Sequence, residues 1–441
     1  MILRSLSWSA LSRGLGLGSG LLVTILLARF LELSDLGSYY LLLAATQFGA
    51  HFVKVGMEVS QQRFIAVAIS MEDWDAVLQR QYAMAGIFFG ALLSVIALVV
   101  MSWAQFDEMY FASTALGWMP TILVCCLAIR AGEELLSAYM RSAGAAEIGG
   151  FLLDCPRQCS FALFLLAQGA FGKESLGFEE VMGAYIACGA AAILISATFA
   201  KFQWNKINKS RANASICGVM LEVRSILILS VPVMLHGLLA IVVTSADVWV
   251  LGAIGSEEAV GLYGTVVRLA MLVRMPLVII TMVTPPIFSR LYAEAKLKEL
   301  ERIAGASAAA GTLIALPVVI VFVFSGEYVL SMLFGKQFAV GYVLLGVLTM
   351  GYMTEVALGS PGWLMQISGN QWIQLRITVL AAVWSVVSSV IFTSVLGAFG
   401  TALASATSFA LISVVAANQV WRRLGVKSWA DLRLLKVLIQ Q

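Results

Sequence analysis

Charge is what this sequence lacks most. Only 12% of its 441 residues are Asp, Glu, Lys or Arg, while 60% are hydrophobic, and the mean hydropathy is +0.92. A soluble domain carries roughly twice that share of charge. Long connections are missing too: ELSDLG (32–37), GSEEAVG (255–261) and GAFG (397–400) leave no room for a domain on their side of the chain. The pattern has no short alternating segments that would close into a membrane barrel. No aromatic-and-basic surface pattern marks a nucleic-acid partner. The six cysteines (Cys125, Cys126, Cys155, Cys159, Cys188 and Cys217) follow no metal or redox spacing and are expected as reduced packing residues. The sequence points to no metal and no cofactor. Arg4 opens a basic start without a small-residue cleavage site, so the first apolar stretch is expected to be a retained helix.

What the sequence has in abundance is apolar runs of about 20 residues, each sufficient to cross roughly 30 Å of hydrocarbon as a helix. Spans are expected near 11–32, 36–60, 82–104, 112–136, 148–169, 180–201, 225–253, 259–287, 303–325, 339–362, 373–395 and 398–420. This is the pattern of an all-α polytopic membrane protein with about 12 transmembrane helices. With the N-terminus placed in the cytoplasm, Arg63, Arg80, Arg141, Lys201, Lys206, Lys209, Arg211, Arg224, Arg290, Lys296, Arg376, Arg422, Arg433 and Lys436 fall on the cytoplasmic side. Little beyond Arg29, Lys173 and Lys336 falls on the other, so both termini are expected to be cytoplasmic.

The longest polar stretch, KFQWNKINKSRANAS (201–215), divides the chain. We expect an N-terminal six-helix lobe at 1–203, a basic linker at 204–222 and a C-terminal lobe at 223–441 with a short basic tail. LSDLGSYY (33–40) and SEEAVGLYG (256–264) occupy equivalent places in the two halves. RFIA (63–66) and RLYA (290–293) follow them. Ser34 or Asp35 in one copy, and Ser256 in the other, are expected helix N-caps with acid in the first turn. A repeat of six spans is parallel, which predicts a central cavity between the halves.

Polar residues inside spans are costly and mark function. Gln47, His51, Lys54, Glu58, Gln61 and Gln62 recur at steps of three or four, and at about 100° per residue they form one stripe on one helix. In the register of Gly37 with Gly261 the matching positions of the eighth span are mostly Met, Val and Pro, so the stripe belongs to the first half alone. Arg268 and Arg274 lie in the eighth span, about 120° apart on an ideal helix. Lys54, His51, Gln47, Arg268 and Arg274 are the candidate cavity residues, with cations suited to phosphate. His236 and Asp247 share a face of the seventh span, Asp247 being either a counter-charge to Arg268 or a proton or sodium site. Glu355 is isolated in the tenth span and is a further coupling candidate. Local alternatives stand beside these readings. Lys54 with Glu58, Arg130 with Glu133 and Glu134, and Asp154 with Arg157 can each neutralise within one helix. GLGLGSG (14–20) is no phosphate loop, because no strand precedes it; its small residues predict close helix packing. Pro120, Pro156, Pro232, Pro276 and Pro317 are expected kink points.

VTILLARFLELSDLGSYYLLLAATQFG (23–49), SADVWVLGAIGSEEAVGLYGTVVRLA (245–270), MLFGKQFAVGYVLLGVLTMG (332–351) and the stretch 366–406 occur in this order. Together they resemble the polysaccharide-transport (Wzx-type) oligosaccharide flippases, within a superfamily that also holds the multidrug (MATE) antiporters and the lipid II flippases. The resemblance implies two lobes of six helices and alternating access. It implies movement of a polyprenyl-pyrophosphate-linked oligosaccharide, such as an O-antigen, capsule or exopolysaccharide repeat unit, from the inner to the outer leaflet of a bacterial cytoplasmic membrane. It further implies membrane lipids, H+ or Na+, and glycan polymerase and chain-length machinery as partners, and no enzyme activity. Two extra spans and a mid-depth Arg-Asp pair in the first span, features of lipid II flippases, are missing. A MATE-like cation-coupled drug antiporter is the alternative reading. A membrane glycan polymerase is disfavoured by the short outer connections.

Overall fold

An apolar segment in hydrocarbon must satisfy its backbone internally, and a helix does so within one segment. The computed structural model describes residues 2–110, 119–173, 175–207, 216–431 and 433, and helices dominate throughout them. In chain order these are α1 (Ile2–Phe30), α2 (Leu33–Lys54), α3 (Met57–Ser60), a π turn (Gln61–Ile65), α4 (Ala66–Ser70), α5 (Trp74–Tyr110), α6 (Met119–Ser142), α7 (Ala146–Ala170), α8 (Phe178–Ile207) and α9 (Ile216–Ile254). Then follow α10 (Glu257–Ala270), a 3-10 turn (Met271–Arg274), α11 (Met275–Ala293), α12 (Leu297–Phe334), a second 3-10 turn (Lys336–Gly341), α13 (Tyr342–Leu358), α14 (Pro361–Ile367) and α15 (Gln371–Leu424). Among the described residues 8 helical segments are long and apolar enough to cross a membrane. α6 misses that criterion because of the charges discussed below, and α2 because Gln47, His51 and its tyrosines make it less apolar. α15 contains both of the last two expected spans, divided at Gly397 (φ 59°). Residues 111–118, most of the central basic stretch (208–215) and the tail 434–441 lie outside the described residues.

Two compact units result: residues 1–26 with 42–238, and residues 27–41 with 239–441. The core of the first gathers Met57, Ile65, Tyr139, Met140, Leu152 and Ile226. That of the second gathers Phe288, Leu300, Leu364, Met365 and Val420.

The start of α2 belongs to the second unit because of how closely it meets α10. A Cβ built on Gly37 would overlap the carbonyl of Glu257, and one on Gly261 would overlap the carbonyl of Leu33. Each glycine faces the residue four before its counterpart, so the contact is reciprocal in the register of Gly37 with Gly261. Only glycine permits this approach of two backbones. One step along, the Tyr40 ring lies on Gly264 and its hydroxyl is 3.1 Å from Thr265 Oγ1.

Local chemistry differs from expectation in several places. Ser256 caps α10, its hydroxyl accepting from the Ala259 amide at 3.3 Å. α2 instead begins at Leu33, so Ser34 and Asp35 fall in its first turn rather than at its cap. Gly14 and Gly18 face open space, whereas Gly16 is buried and Gly20 meets the side chain of Gln158. Close approach within the glycine run is therefore confined to one face. Pro156, Pro232 and Pro317 sit inside continuous helices. The breaks lie at Ser325 in α12 and at Gly397 in α15. Cys126 and Cys155 are buried and Cys125, Cys159 and Cys188 half-buried, and the side chain of Cys217 is outside the described residues.

Candidate functional site

The polar stripe of the second span does not lie on one straight helix. α2 stops at Lys54, because Val55 (φ 51°) and Gly56 (φ 71°) take left-handed backbone. At Gly56 the chain presses on the backbone of α9, where a Cβ would overlap the Ser230 carbonyl. Val55 pays for that reversal with strain that a β-branched residue rarely carries. Gln61 and Gln62 then fall on the π turn, so the stripe breaks after its third member. Gln47 is exposed, His51 half-buried and Lys54 buried. His51 packs where Gly237 leaves room on α9.

The break delivers Lys54 into a charge network inside the first unit. Its ammonium lies 3.2 Å from Glu58 and also donates to Glu134 of α6. Glu134 pairs with Arg130 at 3.0 Å, and Arg130 is 3.8 Å from Glu133. Glu133, whose side chain is 0% exposed, pairs with Arg157 of α7 at 3.1 Å. The Arg157 guanidinium stands 5.0 Å from the Tyr185 ring centroid and donates to the hydroxyl of that tyrosine on α8. Lys54, Arg130 and Arg157 thus face Glu58, Glu133 and Glu134, three charges of each sign, through a chain of contacts linking α2, α6, α7 and α8. Arg157 pairs with Glu133 of α6; the expected pairing with Asp154 falls on a side chain outside the described residues. Local neutralisation within α6 is only half the arrangement. Arg130 alone cannot match both Glu133 and Glu134 beside it on α6, and Lys54 and Arg157 supply the further cations.

The second unit holds its own polar centre. Asp247, 4% exposed, accepts from the Tyr263 hydroxyl at 2.6 Å, from Ser405, and from the Val248 amide at 2.8 Å. Asp247 is therefore not a counter-charge to Arg268. Three donors already surround it, and Arg268 lies elsewhere, 4.7 Å over the Tyr40 ring. Arg268 is half-buried and makes no ion pair among the described residues. The 3-10 turn Met271–Arg274, ended by Pro276 at the start of α11, separates the two arginines of the expected eighth span. Arg274 meets Glu355 of α13 through two nitrogens, each at 2.7 Å, and lies 4.8 Å over Phe409 and 5.4 Å over Tyr352. Glu355 is thus paired, not isolated; the two residues lie 81 positions apart, which no local spacing rule reaches. His236 is half-buried on the first-unit part of α9, and the structure does not bring it to Asp247. Among the described residues no group of His, Cys, Asp and Glu is arranged to hold a metal ion.

The sequence reading missed Tyr263 and Ser405 as partners of Asp247, although Tyr263 stands in the motif that marked the repeat. It also passed over Glu133, Glu134 and Arg157 as locally neutral; two adjacent glutamates beside the single Arg130 were the available signal.

Residues 157–341 match the family model described as polysaccharide biosynthesis protein. No curated protein sequence matches the chain. Among solved structures, the chain is similar to a multidrug resistance MATE family transporter of the MOP superfamily in its inward-facing conformation. The TM-score is 0.72 at 15% identity, covering 92% of this chain and 94% of the other. A MOP superfamily transporter from Pyrococcus furiosus, noted for a binding pocket of reversed polarity, gives 0.65 at 15% identity over 96% of this chain and 95% of its own. The lipid II flippase MurJ, inward closed, gives 0.65 at 12% identity over 98% of this chain and 91% of its own. The chain is therefore a multi-pass, all-α membrane protein with the fold of the MOP-superfamily transporters and flippases.

Proposed function

We propose that the protein is a flippase for a polyprenyl-pyrophosphate-linked oligosaccharide. In this reading 1–203 and 223–441 are its six-helix lobes, joined by the basic segment 204–222, and it works by alternating access in a bacterial cytoplasmic membrane with both termini inside. The observation that carries the reading is Arg268. A guanidinium in a membrane-spanning helix ordinarily finds a carboxylate, because an unpaired charge there is costly. Among the described residues Arg268 has only the face of Tyr40, a contact worth about 0.5–2 kcal/mol, which leaves its donors to a planar, anionic group such as a phosphate. The match to polysaccharide biosynthesis proteins supports a sugar-bearing cargo. Lys54 is a candidate cation of the first unit, which an anionic cargo would have to draw away from Glu58 and Glu134. The sugar then needs polar company, which Gln47 and His51 offer, while the isoprenoid stays in the bilayer. Glycan polymerase and chain-length machinery would act on the delivered unit.

The test is mass spectrometry of lipid co-purifying with the protein, combined with glycan export in cells. A pyrophosphate-linked oligosaccharide is expected with wild type and is expected to be lost with Arg268→Ala at normal protein level. Full export by both Arg268→Ala and Lys54→Ala would overturn the site assignment. A second reading, a cation-coupled antiporter, is favoured by one observation: the first-unit network is neutral rather than basic, and Glu58 and Glu134 would welcome a cation that displaces Lys54. Drug resistance conferred by overexpression and lost in Glu134→Gln is the outcome that would select it. In that reading Asp247, His236 and Glu355 stand as candidate H+ or Na+ groups.

A further inference from the structure

α5 stands apart in the first unit. Only 6% of its most apolar stretch is buried. Behind its first turns, facing the π turn, α6 and α8, lies a cleft of about 420 Å³, within the range of small-molecule sites. The cleft is graded from polar to apolar. Gln61, Gln81, Tyr139 and Lys201 line one end, and Phe88 with Gly132 line the other. From Gln81 to Phe88 on α5, and from Tyr139 back to Gly132 on α6, the helix axes advance about 10 Å. The polar end lies where the apolar stretch of α5 begins, at Trp74, and that of α8 ends, at Lys206. There Gln203 reaches the Ala143 carbonyl at 2.9 Å, and Trp74 and Trp204 meet edge to face at 6.2 Å, an interfacial aromatic pair.

Two buried groups at that end are left wanting. Gln61 is 8% exposed and its side-chain oxygen has no hydrogen-bond partner among the described residues. The Tyr139 hydroxyl, on a residue 6% exposed, lies by Gln81 without a geometrically closed bond. Buried polar atoms left so destabilise the fold until a partner reaches them. Among the described residues Lys201 is the one charged side chain lining the cleft.

We propose that this cleft binds one acidic glycerophospholipid of the phosphatidylglycerol type. Its phosphate meets Lys201, its headgroup hydroxyls serve Gln61 and Tyr139, and one acyl chain runs along Phe88 toward mid-membrane. The charge fits an anion, the buried oxygen calls for a hydroxyl donor, and the gradient matches a lipid standing in its own leaflet. The site is separate from the Lys54 network and from Arg268, and it does not rest on the cargo proposed above.

The test uses full-length, delipidated protein in detergent, titrated with phosphatidylglycerol, phosphatidylcholine and a polyprenyl phosphate and read by native mass spectrometry. One phosphatidylglycerol is expected to bind at least tenfold tighter than either competitor. Ala85→Trp, which fills the cleft from α5, is expected to abolish the adduct. Lys201→Gln, at the exposed rim, is expected to keep the fold and bring phosphatidylglycerol down to the phosphatidylcholine level. Equal binding of the two phospholipids, preference for the polyprenyl phosphate, or an undiminished adduct in folded Lys201→Gln would each overturn the proposal.

Discussion

Arg157→Met should unfold this protein far more readily than its size as a change suggests. The methionine replaces most of the volume, so little of the effect comes from a cavity. What is lost is the partner of Glu133, whose side chain is 0% exposed and whose remaining cation, Arg130, is 3.8 Å away and already committed to Glu134. Tyr185 loses its donor and its stacked guanidinium in the same step. Breaking a buried pair from one side costs about 3–5 kcal/mol, or roughly two to three and a half decades in the folded-to-unfolded ratio. Removing both charges, in Arg157→Met with Glu133→Gln, takes away the stranded carboxylate. The double variant should recover about 2 kcal/mol relative to the sum of the singles, inside the range seen for residues in contact. Reversible unfolding in mixed detergent micelles, followed by tryptophan fluorescence, measures all four corners of the cycle. Additivity within about 0.5 kcal/mol would show that Glu133 and Arg157 are not coupled, and the network described above would then be wrong at its centre.

Other outcomes follow from single features and can be read in the same unfolding assay. Gly37→Ala and Gly261→Ala each force a methyl onto a facing carbonyl and should cost about 1–3 kcal/mol. Gly14→Ala, which faces open space, should instead be neutral or stabilising by up to about 1 kcal/mol; equal losses at all three positions would refute the reciprocal contact. Ser256→Ala removes the one side-chain cap of α10 and should cost about 1 kcal/mol, with Ser34→Ala, inside the first turn of α2, costing measurably less. Asp247→Asn swaps an acceptor oxygen for a donor facing Tyr263 and Ser405 and should cost about 1–3 kcal/mol, largely relieved when Ser405→Ala is added.

How much of this was visible beforehand depended on distance along the chain. Hydropathy located the spans, because crossing hydrocarbon is a property of each segment alone. Charges with partners three or four residues away were also legible, as with Arg130 and Glu134. The ion pairs that define the two polar centres were not: Arg157 reaches Glu133 across 24 positions and Arg274 reaches Glu355 across 81. Periodicity assigns a face to a side chain but cannot name what stands opposite. Two helix breaks were misjudged for a related reason. Gly56 was passed over within an apolar run, and its left-handed backbone follows from the approach of α9, a tertiary demand. The 3-10 turn before Pro276 had a local warning in that proline, which was expected to kink the helix but not to tighten the preceding turn.

The reciprocal seam between the starts of α2 and α10 has a consequence that a true homodimer could not share. In two identical chains every residue at a twofold contact appears twice, so a large side chain near the axis must make room for its own image. Here the two copies are written separately. Tyr40 and Gly264 hold equivalent places, and the ring of one lies in the space the other leaves empty. A second tyrosine at 264 would collide with the first. Covalent linkage of the halves therefore permits an off-axis aromatic platform, and it is on that platform that Arg268 rests.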